Sequence, residues 1–182
     1  MATGETKTFR RKNIRLPRFH YSGQQWYFLT ACTQGRTPYL NNAGLVSRHL
    51  ALLTEQAQRE ASTVIAYCFM PDHLHLLVGG LMDDSNCLGL MRTFKQRSGF
   101  AFQRSSGTRL WQHKFYDHIL RPKDRWEPVA YYIWMNPVRK GLCACPQDWP
   151  FSGSQTMDWK RLLKSPDPQW TPPWKRDTNV PS

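Results

Sequence analysis

The chain has 182 residues, is 40% hydrophobic, and carries 25 Lys and Arg against 13 Asp and Glu, a net charge of +12. That length fits one domain with tails, the apolar content excludes a disordered chain, and the cation excess points to a polyanionic partner, nucleic acid foremost. No run of 18 apolar residues offers a membrane span, the polar start gives no expectation of a signal peptide, and five cysteines without CxxC spacing argue against a disulfide framework or zinc ribbon.

Residues 1–20 hold six Lys or Arg and one Glu. This basic arm, with Arg10, Arg11, Lys12, Arg15 and Arg18, is either a nucleic-acid-binding arm or a solubilising tail. Residues 25–33 (QWYFLTACT) are aromatic and β-branched between glycine signals and read as a strand. After Asn41-Asn42, Val46, Leu50, Leu53 and Ala57 recur at helical spacing. Residues 63–70 and 73–78 are apolar runs separated by Pro71-Asp72, an antiparallel pair joined by a tight turn. Leu90, Met91, Phe94, Ser98, Ala101 and Phe102 mark a second amphipathic helix, weakened by Gly99 at about 1 kcal/mol relative to Ala. Its Arg92, Lys95 and Arg97 either track a nucleic-acid backbone or form a solvated face. Exposed members of Trp26, Tyr27 and Trp111 could stack unpaired bases, or all three are core. Residues 111–120 are partly strand-like, residues 125–135 read as a third helix, and residues 158–182 as a Pro-rich flexible tail. The β-α-β-β-α-(β)-α order implies an α+β domain over residues 21–157. It is a ferredoxin-like antiparallel sheet with helices on one face and an added C-terminal helix.

Strand side chains alternate faces, so His73 and His75 project together while Leu74, Leu76 and Val78 form a core face. Two adjacent imidazoles can chelate one metal ion, and in an apolar strand something should satisfy them. A third ligand is then needed, and the last helix offers one. Asp124 with Glu127 resembles a capping box, and Pro137 disfavours helical geometry at Asn136. At 100° per residue Val129, Tyr132, Ile133 and Asn136 share a stripe and Tyr131 points nearly opposite. Tyr132 and Asn136 thus either meet the two histidines or serve as a core aromatic and a helix-end cap.

The segments AYCFMPDHLHLLV (66–78), YFLTACT (27–33), KFYDHILR (114–121) and YYIWMNPVRKGL (131–142) together resemble the REP-associated tyrosine transposases. These belong to the insertion-sequence-200-like family of HUH (His-hydrophobic-His) single-tyrosine endonucleases. The resemblance runs in order from about Arg15 to Phe151. It implies a ferredoxin-like nuclease, cytoplasmic and nucleoid-associated in a bacterium. Such an enzyme binds a short DNA hairpin and cuts the flanking single strand through a 5′-phosphotyrosine link. By the same resemblance His73 and His75 match the HUH ligands, Tyr132 the nucleophile and Asn136 a metal-binding amide. Two imidazoles and an amide suit Mg²⁺ or Mn²⁺, Mn²⁺ tolerating nitrogen better, and Zn²⁺ fits the histidines too. His118 and Arg121 in KFYDHILR are candidates for active-site or fold support. Two rivals stay open: a hairpin-binding module without cleavage, and a zinc-dependent hydrolase using bound water. Monomer and homodimer are equally open.

Overall fold

The aromatic run forms β1 (Trp26–Cys32), whose five inner residues are all buried, so it is fit for the middle of a sheet covered on both sides. The computed structural model describes residues 22–121, 124–163 and 172, and the basic arm with Arg10, Arg11, Lys12, Arg15 and Arg18 lies outside them. β2 (Ser62–Met70) and β3 (His73–Gly80) form the expected antiparallel pair. β4 (Tyr116–Ile119) and β5 (Ser152–Gly153) complete a five-stranded sheet in the order β4-β1-β3-β2-β5, its ladders antiparallel. The first four strands have the ferredoxin-like order, and β5 is an addition at the β2 edge.

Both long helices begin on an asparagine. Asn42 Oδ1 accepts the Leu45 N–H at 2.8 Å to start α1 (Ala43–Arg59), and Asn86 Oδ1 accepts that of Gly89 at 2.8 Å to start α2 (Cys87–Ser106). α2 stops at Gly107, whose φ of +72° suits a residue without Cβ. Leu45, Val46 and Leu53 of α1 and Leu90, Met91 and Phe94 of α2 pack on Tyr27, Leu29, Leu74, Leu76 and Val78. The other sheet face meets α3 (Trp126–Trp134). There Val129, Tyr132 and Ile133 pack with Phe28, Cys68, Met70 and Leu77. A β-bulge between Val64 and Ala66 rephases β2, so Val64 serves the first core while Ala66, Cys68 and Met70 serve the second. His73 and His75 therefore face α3.

The structure corrects three local expectations. Asp124 and Glu127 make no capping box. Asp124 Oδ2 accepts the Arg121 N–H at 2.8 Å to close the turn before the helix, while Glu127 pairs with Arg125, the N-cap residue. Pro137 does not end the helix but breaks it, and a further turn, α4 (Asn136–Arg139), starts with the proline in its first turn. Folded structure also runs past residue 157. α5 (Trp159–Leu162) follows, with Trp159 buried and its ring 5.2 Å from that of Trp134. The candidate stacking residues Tyr27 and Trp111 are core, and Trp111 Nε1 donates to Ser98 Oγ at 2.9 Å. Trp26 is half-buried and stacks on Trp126, centroids 6.2 Å apart.

The first core contains a polar group, His49. Its Nδ1 donates to the Leu45 carbonyl at 2.6 Å, and its buried Nε2 has no hydrogen-bond partner among the described residues. Burial holds its pKa below the ordinary 6.5, against the Leu45 bond and helped by the charge of Arg48. The unfolded chain therefore takes up a proton near pH 6.5 that the folded chain resists. Stability from this group is present above 6.5 and lost below it. Urea unfolding should show His49→Phe losing less stability than the parent between pH 7.5 and 5, by at most about 2 kcal/mol. Equal losses would show that His49 is not titrated by unfolding.

Candidate active site

Two facing imidazoles define the site. His73 and His75 are 2% and 0% exposed, and their Nε2 atoms lie 3.1 Å apart. His73 Nδ1 lies 2.6 Å from Asp72 Oδ1, and Asp72 Oδ2 pairs with Arg36 Nε at 3.3 Å. Burial works to raise the Asp72 pKa, but the His73 hydrogen bond and the charges of His73 and Arg36 outweigh it and hold it low. An ionised carboxylate only accepts, so Nδ1 of His73 carries a proton, and in the neutral ring Nε2 is then a lone pair. His75 Nδ1 lies 2.8 Å from Thr30 Oγ1, and a hydroxyl accepting there leaves the second Nε2 in the same state. Two such lone pairs repel unless a proton or cation stands between them.

Several elements converge to build this corner. Asp72 is fixed because its carbonyl accepts both the backbone N–H and the hydroxyl of Thr33, at 2.9 and 3.0 Å, while the Pro71 carbonyl accepts the Leu40 N–H at 2.9 Å. Arg36 reaches it from a turn in which Gly35 and Arg36 both have positive φ, 63° and 59°. For a non-glycine that conformation costs roughly 1–2 kcal/mol. Thr30 stands opposite His75 in the β1–β3 ladder.

α3 lays Tyr132 over this corner. The phenol is 5% exposed, edge-on to Phe28 at 6.2 Å, and its ring centroid is 6.4 Å from that of His75. Burial pushes its pKa above the ordinary 10.0, with the charge of Arg139 working against that. Tyr131 instead lines a groove with Trp126, Pro128, Trp134 and Leu162. Pro137 has no N–H for the Ile133 carbonyl, and Asn136 Nδ2 substitutes, 3.3 Å from Ile133 O and 2.9 Å from Tyr132 O. The Asn136 nitrogen is thus engaged by the helix, which leaves the amide oxygen as its acceptor.

The donor set fits a divalent ion. Two nitrogens bound at about 2.1 Å to one ion stand roughly 3.0–3.4 Å apart, which spans the observed separation. The Asp72–His73 contact is the outer-shell support that metal-bound imidazoles require. Among the described residues no group of three His, Cys, Asp or Glu side chains could hold a metal, so the two histidines stand as a pair of nitrogen donors without a third ligand of those types.

The remaining candidates are scattered. His118 lies opposite Phe28 in the β1–β4 ladder, hence on the same sheet face as Thr30. Burial pushes its pKa down to about 4, with Asp124 opposing and Arg121 assisting, so it is neutral at neutral pH. Arg121 is exposed and lines a groove with Trp26 and Trp126. α2 lies across the sheet from the histidines. On it Arg92 is exposed, Arg97 pairs with Glu55 at 2.8 Å, and Lys95 Nζ donates to the carbonyls of Gln112, His113 and Lys114. Lys95 thus anchors the loop of residues 112–114 to α2. Sequence reasoning passed over Thr30, Arg36, Asp72 and Arg139.

Comparison with known proteins gives the family. Residues 22–134 match the family model described as IS200-like transposase. The chain belongs to the IS200-like transposase family. This transposase is 25% identical over 151 residues to the REP-associated tyrosine transposase of Escherichia coli (strain K12), covering 78% of the chain and 88% of that relative. It is 28% identical over 142 residues to a putative REP-associated tyrosine transposase of Haemophilus influenzae, covering 69% and 77%. A solved REP-associated tyrosine transposase bound to a REP hairpin shares the fold, with a TM-score of 0.59 and 24% identity over 81% of the transposase and 82% of that chain. The family match spans both histidines and Tyr132 but stops short of Asn136 and Arg139. Among the described residues no helix is long and apolar enough to cross a membrane.

Proposed function

We propose that this transposase is a metal-dependent single-strand DNA endonuclease that binds a DNA hairpin of the repetitive-palindrome type and cuts and rejoins the adjacent strand through a 5′-phosphotyrosine on Tyr132. The observation that carries the reading is the buried Tyr132 ring 6.4 Å from His75, itself one of two imidazoles whose Nε2 atoms converge. The relatives' name and the hairpin in the solved relative support the choice of DNA.

His73, His75 and the Asn136 oxygen would hold Mg²⁺ or Mn²⁺, which when bound supplies Lewis-acid neutralisation of the scissile phosphate. Asp72 and Thr30 keep the imidazoles in the tautomer that ligation needs. Tyr132 Oη attacks phosphorus in line. The O–P bond forms as the P–O3′ bond breaks, the phenolic proton leaves, and the departing 3′ oxygen takes up one proton. A tyrosine with pKa near 10 is only about 0.1% phenolate at pH 7, so that proton must be lost during the reaction. The link conserves the phosphodiester bond, and a 3′-hydroxyl can reverse it without ATP. Hairpin binding falls to the excess cations, among them Arg10, Arg11, Lys12, Arg15 and Arg18 of the arm and the exposed Arg92.

The test is one incubation of the protein with Mn²⁺ and single-stranded oligonucleotides carrying a hairpin and its flanks, read on a denaturing gel. A protein–DNA adduct that survives denaturant is expected. Cleavage without an adduct would overturn the tyrosine chemistry in favour of a bound-water hydrolase. Binding without cleavage would leave a hairpin-binding module.

A further inference from the structure

Arg139 stands two helical turns beyond Tyr132 and is half-buried, and burial lowers its pKa. Among the described residues no carboxylate pairs with it. Its Nη2 donates to the Tyr132 carbonyl, and its guanidinium carbon lies 4.1 Å from the centre of the Tyr132 ring. Its Nη1 is buried without a hydrogen-bond partner among the described residues. Burial pushes the thiol of Cys68, which stands opposite His75 in the β2–β3 ladder, up to about 12, and the charge of Arg139 works against that.

A guanidinium withdrawn from water needs an anion or acceptors for its N–H groups, and leaving one donor unmet is costly. A helix that needed only a stitch to the Tyr132 carbonyl could take it from a neutral amide, as Asn136 already provides. A fixed positive charge with one outstanding donor, laid on the face of the Tyr132 ring, is instead suited to the anion this tyrosine would attack. We propose that Arg139 is a catalytic residue whose Nη1 takes a non-bridging oxygen of the scissile phosphate while Nη2 and the ring stack hold Tyr132 in register. The inference rests on the phosphotyrosine reading above.

As the Oη–P bond forms and the P–O3′ bond breaks, negative charge grows on the non-bridging oxygens. A guanidinium already in place stabilises that charge without reorganising. Arg139 makes and breaks no covalent bond and keeps all its protons. Its planar fork can serve a phosphate oxygen and a carbonyl at once, which a lysine ammonium does less well.

The test is single-turnover adduct formation by the full chain with Mn²⁺, on a hairpin oligonucleotide whose cleaved linkage is either a phosphate or a neutral methylphosphonate. R139Q keeps a planar donor for the Tyr132 carbonyl but no charge, and R139K keeps the charge without the fork. On phosphate, R139Q should be about 10²–10³-fold slower with hairpin affinity unchanged, the size of loss seen when one transition-state donor is removed. R139K should fall between R139Q and the parent. The decisive reading is the penalty for methylphosphonate, which should be at least tenfold smaller in R139Q than in the parent, because the charge contact is already gone. A penalty that shrinks by less would overturn the proposal and leave Arg139 a support of Tyr132 alone. Should thermal melting show R139Q unfolded, the same comparison with R139M, which also lacks the charge, decides. A parent protein that forms no adduct on phosphate would overturn the phosphotyrosine reading itself, an outcome distinct from either result for Arg139.

Discussion

Tyr132→Phe is expected to abolish the denaturant-resistant DNA adduct, while Tyr131→Phe continues to cleave. The two residues are neighbours in sequence and equally buried to within a few per cent, at 5% and 8% exposure, so burial does not separate them. Direction does. Tyr132 lies against Phe28 and His75 beneath the Arg139 guanidinium, whereas Tyr131 lines the groove with Trp126, Pro128, Trp134 and Leu162. Losing the Tyr132 hydroxyl removes the proposed attacking atom, so the adduct should vanish rather than slow. The ring contacts survive in phenylalanine, so the variant should fold and bind the hairpin as the parent does. The gel for adduct and a mobility shift for binding read the two effects separately. A dead Tyr131→Phe beside an active Tyr132→Phe would transfer the nucleophile to the other face of α3.

What could be read from the sequence was whatever depends on local period. The two-residue alternation of β3 is enough to put His73 and His75 on one face and Leu74, Leu76 and Val78 on the other, and the folded sheet keeps that division. The 100° step of a helix likewise separates Tyr132 from Tyr131. The supports of the site are not local. Thr30 meets His75 only through ladder register across 45 residues, and Arg36 meets Asp72 only because a positive-φ turn delivers it. Arg139 was within reach of the same helical argument, but reading Pro137 as a stop concealed it. In the structure Asn136 repairs the break and the chain winds on. Charges on α2 could not be sorted by sequence, because the Glu55 that meets Arg97 sits on α1 and the carbonyls that meet Lys95 belong to residues 112–114. β5, two residues long, has no period to detect.

Chelation should stop cleavage, and Mg²⁺ or Mn²⁺ should restore it, with His75→Ala losing at least two to three orders of magnitude in rate. His75 is fully buried, and its ring is held between Thr30 and His73, so no neighbouring side chain can take its place. In the proposed ligand set, removing it leaves His73 and an amide, too few donors to retain an ion against water. Because His75 makes no part of the cationic surface, hairpin affinity should stay within about twofold, and Mn²⁺ binding followed by electron paramagnetic resonance should fall with the rate. Asp72→Asn gives the graded case. It leaves both imidazoles but removes the carboxylate that fixes the His73 tautomer, so the Mn²⁺ needed for half-maximal cleavage should rise about 10–100-fold, with the rate recovering at saturation. A merely structural aspartate would lower stability without moving that midpoint. Full cleavage in excess chelator would remove the ion from the mechanism. Charge neutralisation at the phosphate would then have to come from protein cations, with Arg139 the one already laid on the Tyr132 ring.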